Sequence, residues 1–276
     1  MCEENSSIQL VTEKIAFLGA GFIAEAWMER LLRSGSVAPE QVMACDIRPE
    51  RLEHLRKSWG VRAHPDNLEG ARFAQLIVLA TPPPETLPVL RSLHGALRPD
   101  QVVISLAAAV PITALEQAAP NLPIVRVMPN TPALVGEAMN LVVFGSAVSK
   151  VERSRVAPLL DVLGSWQEVA DDEVDLWCAL CAVGPTFILP VIDALAAAAA
   201  ARGLPPEKAL QAAAQMVAGT ARMVQDSGRT PEQLKQMIGL RTLKEDDGRK
   251  LFTDAYNEAV QKLRAVGQKV AAAARQ

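Results

Sequence analysis

Hydrophobic positions fall in short blocks along the first 170 residues and then change their period. Ile15–Leu18, Gln41–Cys45, Val61–Ala63, Leu76–Ala80, Val102–Leu106, Ile124–Met128 and Leu141–Phe144 are brief, mostly apolar runs. Several have no polar alternate, which suits strands covered on both faces, as in a parallel sheet. Amphipathic stretches lie between them. One runs to Ser34 with Gly35 as its C-cap, Glu50–Trp59 closes at Gly60, and a third covers Lys150–Leu163. This alternation predicts an α/β domain over 1–170 with a doubly wound parallel sheet. From Asp171 the strand-like runs stop. Alanine-rich helical periodicity predicts helices at 172–182, 186–202, 206–226, 231–237 and 249–273, an all-α domain over 171–276. The nearly all-alanine run Ala194–Ala201 allows close backbone approach, which suits an intertwined dimer core.

The first strand leads into Gly19-Ala20-Gly21-Phe22-Ile23-Ala24. A strand, a tight glycine turn and then a helix is the arrangement that binds a dinucleotide. Gly19 permits the bend, Gly21 lets a pyrophosphate approach the backbone, and Ala24 lets helix and strand pack closely. The start of the helix adds free N–H groups and about half a positive charge. Asp46 ends the second strand 22 residues beyond Ala24, the spacing at which an acid meets the adenosine ribose hydroxyls. Arg48, two residues on, would instead face a 2′-phosphate. An unscreened Asp46 within ~5 Å of that phosphate would cost up to ~3 kcal/mol, which favours NADH and leaves NADPH open. The competing role for Asp46 is a cap on the helix that follows.

Ligands of open parallel sheets lie beyond the carboxyl ends of the strands. Ala80, Thr81 and Pro82 are therefore expected beside the nicotinamide, where Thr81-Pro-Pro-Pro84 takes the chain out of the sheet. Ala107, first of three alanines after the next strand, leaves room for the cofactor or simply packs. Pro129 and Pro132 bracket Asn130 and Thr131 in a rigid loop. Asn130 is placed to orient a carboxamide or substrate, or to close an Asx-turn.

Composition narrows the class. Half of the 276 residues are hydrophobic and 21% are charged, enough for a sizeable core. A net charge of −3 offers no general attraction for nucleic acid or anionic membrane. Met1–Ser7 is polar and acidic rather than a signal peptide, and the apolar stretch Thr186–Ala201 is broken by Pro190 and Asp193. A cytoplasmic protein is expected. Cys2, Cys45, Cys178 and Cys181 are too scattered for a disulfide framework. Cys178-Ala-Leu-Cys181 has redox spacing but sits on a predicted helix without further ligands, so buried structural thiols are expected and no metal.

Together these segments resemble the pyrroline-5-carboxylate reductase family. Val125–Met139, VRVMPNTPALVGEAM, agrees with the family signature almost residue for residue, and Phe17–Ala24 matches its cofactor turn. Asn67 stands where the family has a cofactor-contacting asparagine, and Ala80-Thr-Pro-Pro83 aligns with its alanine-valine-lysine-proline stretch. The likeness runs from about Lys14 to Lys235. It implies a Rossmann domain, a helical dimerisation domain forming a homodimer, and hydride transfer from NADPH or NADH to a small-molecule cyclic imine at the cleft between domains. Pro129, Val183, Gly184 and Pro185 fall on its substrate side.

The departures fall on the substrate loops. The family's serine-glycine-serine-glycine-proline-alanine-tyrosine run is here Cys181-Ala-Val-Gly-Pro-Thr-Phe187, so the hydroxyls and tight glycines are gone. Its glycine- and threonine-rich loop is replaced by the shorter Ile238-Gly-Leu-Arg-Thr-Leu243 and Lys244–Gly248. Arg241 and Thr242 are candidates to hold the substrate carboxylate and imine nitrogen, or they are surface residues of a shortened loop. No histidine is a good proton donor, so catalysis would rest on orientation and water exclusion, worth up to roughly 7–11 kcal/mol. A β-hydroxyacid dehydrogenase would need a lysine that is missing between Lys150 and Lys208. A cofactor-binding homologue without turnover is the other alternative.

Overall fold

Eight strands form one sheet in the computed structural model, which describes residues 10–273; Cys2 and Met1–Ser7 lie outside the described residues. They are β1 (Ile15–Leu18), β2 (Val42–Cys45), β3 (Arg62–His64), β4 (Leu76–Leu79), β5 (Val102–Ser105), β6 (Ile124–Met128), β7 (Ala138–Phe144) and β8 (Gly164–Glu168). The order is β3-β2-β1-β4-β5-β6-β7-β8. The first six are parallel, β7 runs antiparallel to β6, and β8 runs parallel to β7. Leu18 pairs with both Cys45 and Leu79, so β1, β2 and β4 end level with one another. Consecutive strands leave β1 in opposite directions, which opens a crevice at the β1/β4 switch point.

The helices are α1 (Phe22–Arg33), α2 (Pro49–Trp59), α3 (Asn67–Phe73), α4 (Pro83–Leu93), α5 (Ile112–Ala118), α6 (Lys150–Leu163), α7 (Val174–Cys181), α8 (Pro185–Ala200), α9 (Pro206–Asp226), α10 (Pro231–Lys235) and α11 (Glu245–Ala273). Alternation along the strands divides the core between the two sheet faces. Phe17, Val78 and Ile104 bury against Trp27 and Leu31 of α1 and Leu159 and Leu163 of α6. Leu18, Ile77, Leu79 and Val103 bury against Leu87 and Leu90 of α4 and Leu115 of α5. Each such side chain contributes roughly 1.5–3 kcal/mol, so both helix layers are anchored.

Periodicity did not reveal β8, whose Gly164-Ser-Trp-Gln-Glu168 is an exposed edge without an apolar run. Its start requires glycine. Gly164 has φ +136°, and a Cβ there would lie 2.3 Å from the Ala138 nitrogen. Trp166 holds the edge by packing edge-to-face on Phe144, centroids 6.2 Å apart. The strand β7 begins three residues before Leu141, and α11 begins at Glu245 rather than 249.

The chain divides into two compact units: residues up to Ala182 with those from Val260 onward, and Val183–Ala259. In the second, α8 and α9 form a hairpin whose seam is small, with Ala196, Ala209 and Ala213 buried beside Ile192 and Ala199. Alanine carries nothing beyond Cβ, which lets the two backbones approach closely. Counted as one helical stretch, Asp171–Ala200 is long and apolar enough to cross a membrane by length and composition, and only 11% of its apolar window is buried. The regular helix nevertheless breaks between Cys181 and Pro185.

One buried ion pair sits within the first unit. Arg126 on β6 is 4% exposed and donates to Asp171 at 2.6 Å, while the other Asp171 oxygen accepts from the Ile112 N–H at 3.2 Å, at the start of α5. Removing one charge strands the other in a low-dielectric setting. Asp171→Asn is expected to lower unfolding free energy by about 3 kcal/mol in urea titration, and the double change Arg126→Met, Asp171→Leu to recover most of it.

Candidate functional site

The crevice at the switch point is a cleft of about 620 Å³ at the carboxyl ends of β1, β2, β4 and β5. Of the residues singled out in the sequence, it brings together Gly19, Ala20, Gly21, Phe22, Ile23, Asp46, Arg48, Asn67, Ala80, Thr81, Pro82 and Ala107. Its wall also holds Ala24, Pro83 and Ala108, from the glycine turn, the proline run and the alanine run already noted, and Cys45, Ile47, Glu85, Val89 and Leu106, which sequence reasoning did not single out for the site.

Two glycines divide the work of the turn. Gly19 has φ +90°, and a Cβ there would lie 2.7 Å from the Ala80 carbonyl oxygen, so β1 and β4 meet here without room for a side chain. Its N–H donates to the Cys45 carbonyl at 2.8 Å, and the Ala80 N–H donates to Leu18. Gly21 is the N-cap of α1 in extended conformation. A Cβ built on it meets nothing within 4 Å, and no side chain caps the helix. A crowded bend followed by an open, uncapped helix start is a cradle for an anion that needs close backbone approach. The pyrophosphate of a dinucleotide fits that cradle.

Asp46 is 8% exposed and fully engaged. One oxygen accepts the Arg48 backbone N–H (3.0 Å) and Nε (2.8 Å); the other accepts Arg48 Nη2 (2.9 Å) and the Ala20 N–H (2.9 Å). The Arg48 guanidinium, with the Ala20 and Arg48 amides, outweighs burial and holds the carboxyl down at about 2. The two residues therefore pair with each other rather than opposing one another, and Arg48, half exposed, is the N-cap residue of α2.

Elsewhere on the rim, Pro83 and Pro84 open α4, where their missing N–H groups cost nothing. The Thr81 hydroxyl lies 3.1 Å from that of Thr86. Asn67 opens α3 behind the Asp66 cap, which accepts the Leu68 N–H at 2.9 Å. Ala109, beyond the cleft-lining Ala107 and Ala108, adopts φ +63°, a strained value for a residue with a Cβ.

The structure does not bring Asn130 to this cleft. Its amide donates to the Cys181 carbonyl (3.0 Å) and accepts the Met139 N–H (3.1 Å), tying the loop after β6 to β7 and α7. Pro129 immediately precedes it and is likewise absent from the cleft wall. Val183, Gly184 and Pro185 belong to the second unit and form the turn into α8, where Val183 accepts the Thr186 N–H at 2.8 Å. Arg241 and Thr242 line a separate cleft of about 580 Å³ in that unit, with Lys235, Glu245 and Arg249 beside Ile238, Leu240, Leu243 and Phe252. Lys235 is spent on Glu232 and Glu245. It holds Glu245 below the usual carboxylate range, with Arg241 and Arg249 adding through space. Burial pushes the Cys45 thiol up to about 12 and Cys178 up to about 11, so neither is a ready nucleophile.

These features define the chain as a dinucleotide-binding Rossmann protein carrying a second helical unit. Comparison with known proteins narrows the class. Residues 14–109 match the family model for NADP oxidoreductase, coenzyme F420-dependent, and residues 171–266 match the model for pyrroline-5-carboxylate reductase dimerisation. The pyrroline-5-carboxylate reductase of Methanosarcina acetivorans is 32% identical, over 93% of this chain and 99% of its own length. Among solved structures, the Coxiella burnetii pyrroline-5-carboxylate reductase superposes with TM-score 0.80 at 27% identity, covering 92% of this chain and 98% of its own. The Plasmodium falciparum pyrroline carboxylate reductase, solved with NADP bound, gives 0.81 at 23% identity, covering 94% and 99%. The chain belongs to the pyrroline-5-carboxylate reductase family, and its architecture is the Rossmann domain and helical dimerisation domain of those structures.

Because the Asp46 pKa is lowered in the fold, its contribution is full above the unfolded value near 4 and is lost as pH falls through about 2. Asp46→Asn is expected to cost about 2 kcal/mol at neutral pH, with the gap to the unsubstituted protein closing between pH ~4 and ~2 in urea titrations.

Proposed function

We propose that this chain is an NAD(P)H-dependent reductase of the C=N bond of a cyclic imine, pyrroline-5-carboxylate (giving proline) or a related ring imine. The observation that carries the reading is the open cradle at Gly21 in a chain that matches a pyrroline-5-carboxylate reductase over nearly its full length. When bound, the reduced nicotinamide supplies the hydride that the imine carbon accepts. The chain's own residues bind, orient and exclude water. Gly19–Ile23 hold the pyrophosphate through backbone amides, and Asn67, Ala80, Thr81, Pro82 and Ala107 shape the rest of the cofactor cleft. Asn130 acts by fixing its loop, with Pro129, Val183, Gly184 and Pro185 on the substrate side.

Arg241 is proposed to take the substrate carboxylate through two charge-assisted bonds, and the Thr242 hydroxyl to donate to the imine nitrogen. Lys235 is neutralised by its glutamates, which leaves Arg241 as a cation of this cleft acting on Glu245 only through space. The helical part, 171–276, is proposed as the dimerisation and substrate domain following a dinucleotide-binding domain over 1–170. The exposed Leu189, Leu195, Leu210 and Met216 of α8 and α9 would be covered by a second copy. In this reading the apolar Asp171–Ala200 stretch serves a homodimer in the cytoplasm, with neither a membrane nor a nucleic acid as partner.

Asp46 already accepts four hydrogen bonds, which fills a carboxylate's lone-pair sites. A ribose hydroxyl therefore finds no ready acceptor there, while the exposed edge of Arg48 offers donors to a 2′-phosphate. This favours NADPH over NADH. Loss of reduced-nicotinamide absorbance with pyrroline-5-carboxylate and ring analogues, with chromatographic detection of proline, tests the activity. Oxidation with at least one imine is expected; saturable cofactor binding without turnover on any imine would contradict it. In the same assay Arg48→Ala is expected to raise KM for NADPH about tenfold and to lower it for NADH, since it frees Asp46.

A further inference from the structure

The helix after the adenosine-side loop reaches back under the glycine turn. Arg51, on the first turns of α2, has a side chain only 20% exposed. Its Nε donates to the Ala20 carbonyl at 2.5 Å, and its Nη2 donates to the Gly21 carbonyl at 3.4 Å and to the Glu25 carboxylate at 2.5 Å. Glu25 is itself held by His54 Nε2 at 2.7 Å and Trp59 Nε1 at 3.4 Å, both also from α2. Ala20 is thus gripped at both ends, its N–H by Asp46 and its carbonyl by Arg51.

A trans peptide points its N–H opposite to its C=O. Holding the Ala20 carbonyl therefore turns the Gly21 N–H away from Arg51, and holding the Gly21 carbonyl does the same for the Phe22 N–H. These are the two amides at the lip of the uncapped helix start. Glu25 offsets the guanidinium charge, so the effect of Arg51 on an anion is one of aim rather than of added positive charge.

We propose that Arg51 is a positioning residue for the cofactor pyrophosphate, setting the orientation of the Gly21 and Phe22 amides from beneath the turn. The proposal rests on the reading that a dinucleotide lies against this turn, and it makes the β2–α2 connection a shared support for both ends of the ADP moiety. Asp46 and Arg48 serve the ribose end, and Arg51 the phosphate end.

Two ligands separate these roles: ADP-ribose, which carries the pyrophosphate, and adenosine 2′-monophosphate, which lacks it. Calorimetric titration of the full-length protein is expected to show about tenfold weaker ADP-ribose binding in Arg51→Met, with adenosine 2′-monophosphate affinity retained. Arg51→Lys, which keeps one donor, is expected to recover part of the loss. Should Arg51→Met fail to fold, Glu25→Gln loosens the same guanidinium and is expected to weaken ADP-ribose selectively by about threefold. Unchanged ADP-ribose affinity, or equal losses for both ligands, would overturn the proposal. No saturable binding of either ligand or of NADPH to the unsubstituted protein would overturn the dinucleotide reading along with it.

Discussion

The structure of the first unit turns on one close approach, that of the Gly19 backbone to the Ala80 carbonyl where β1 and β4 end side by side. Two parallel strands that leave the sheet in opposite directions must separate there, and only a residue without Cβ lets them do so at this distance. Everything at the cleft follows from that spacing. The Gly19 N–H is captured by Cys45, Ala20 is brought within reach of Asp46, and Gly21 is left facing open space at the head of α1. Crowding at one glycine and emptiness at the next are parts of one device, since the bend that uses up the first glycine's room creates the second's.

The β2–α2 connection reinforces that device electrostatically. Asp46 is ionised in a nearly buried position because Arg48 and two amides compensate it, and Arg51 is similarly compensated by Glu25. The net result is a turn stiffened by paired charges whose fields largely cancel, so a bound anion meets mainly backbone N–H groups and the α1 dipole. This arrangement also removes the repulsion that an isolated Asp46 would exert on a 2′-phosphate.

Much of the first unit was legible because its strands are short apolar runs punctuated by glycine, proline or a helix. Six parallel strands and the cleft residues at the strand ends, from Gly19 to Ala107, follow from that pattern together with the rule that ligands sit at strand carboxyl ends, whereas Asn67 was indicated by the family resemblance alone. The β8 strand was not legible, because a polar edge strand carries no periodicity and owes its place to Gly164 and Trp166. Nor was the pairing of Asp46 with Arg48, since spacing gives proximity to a ligand without saying which partners have already filled the lone pairs. Asn130 shows the same gap, as its loop was foreseeable but the two backbone groups that occupy its amide come from β7 and the end of α7. In the second unit, the alanine run read as a dimer core places Ala196 and Ala199 in a seam within the chain, against Ala209 and Ala213 of α9, a pairing that alanine content alone does not specify.

The central claim is that the space beside Gly21 is reserved for a phosphate rather than left over from folding. Gly21→Ala isolates it, because Gly21 has an ordinary extended conformation and its Cβ would touch no protein atom. Titration of NADPH into the unsubstituted and Gly21→Ala proteins, with thermal melts alongside, is the most direct measurement. The account expects matching melting temperatures and an affinity lowered by about tenfold or more, as the methyl group displaces the phosphate from the amides. Equal affinities in two equally stable proteins would contradict it.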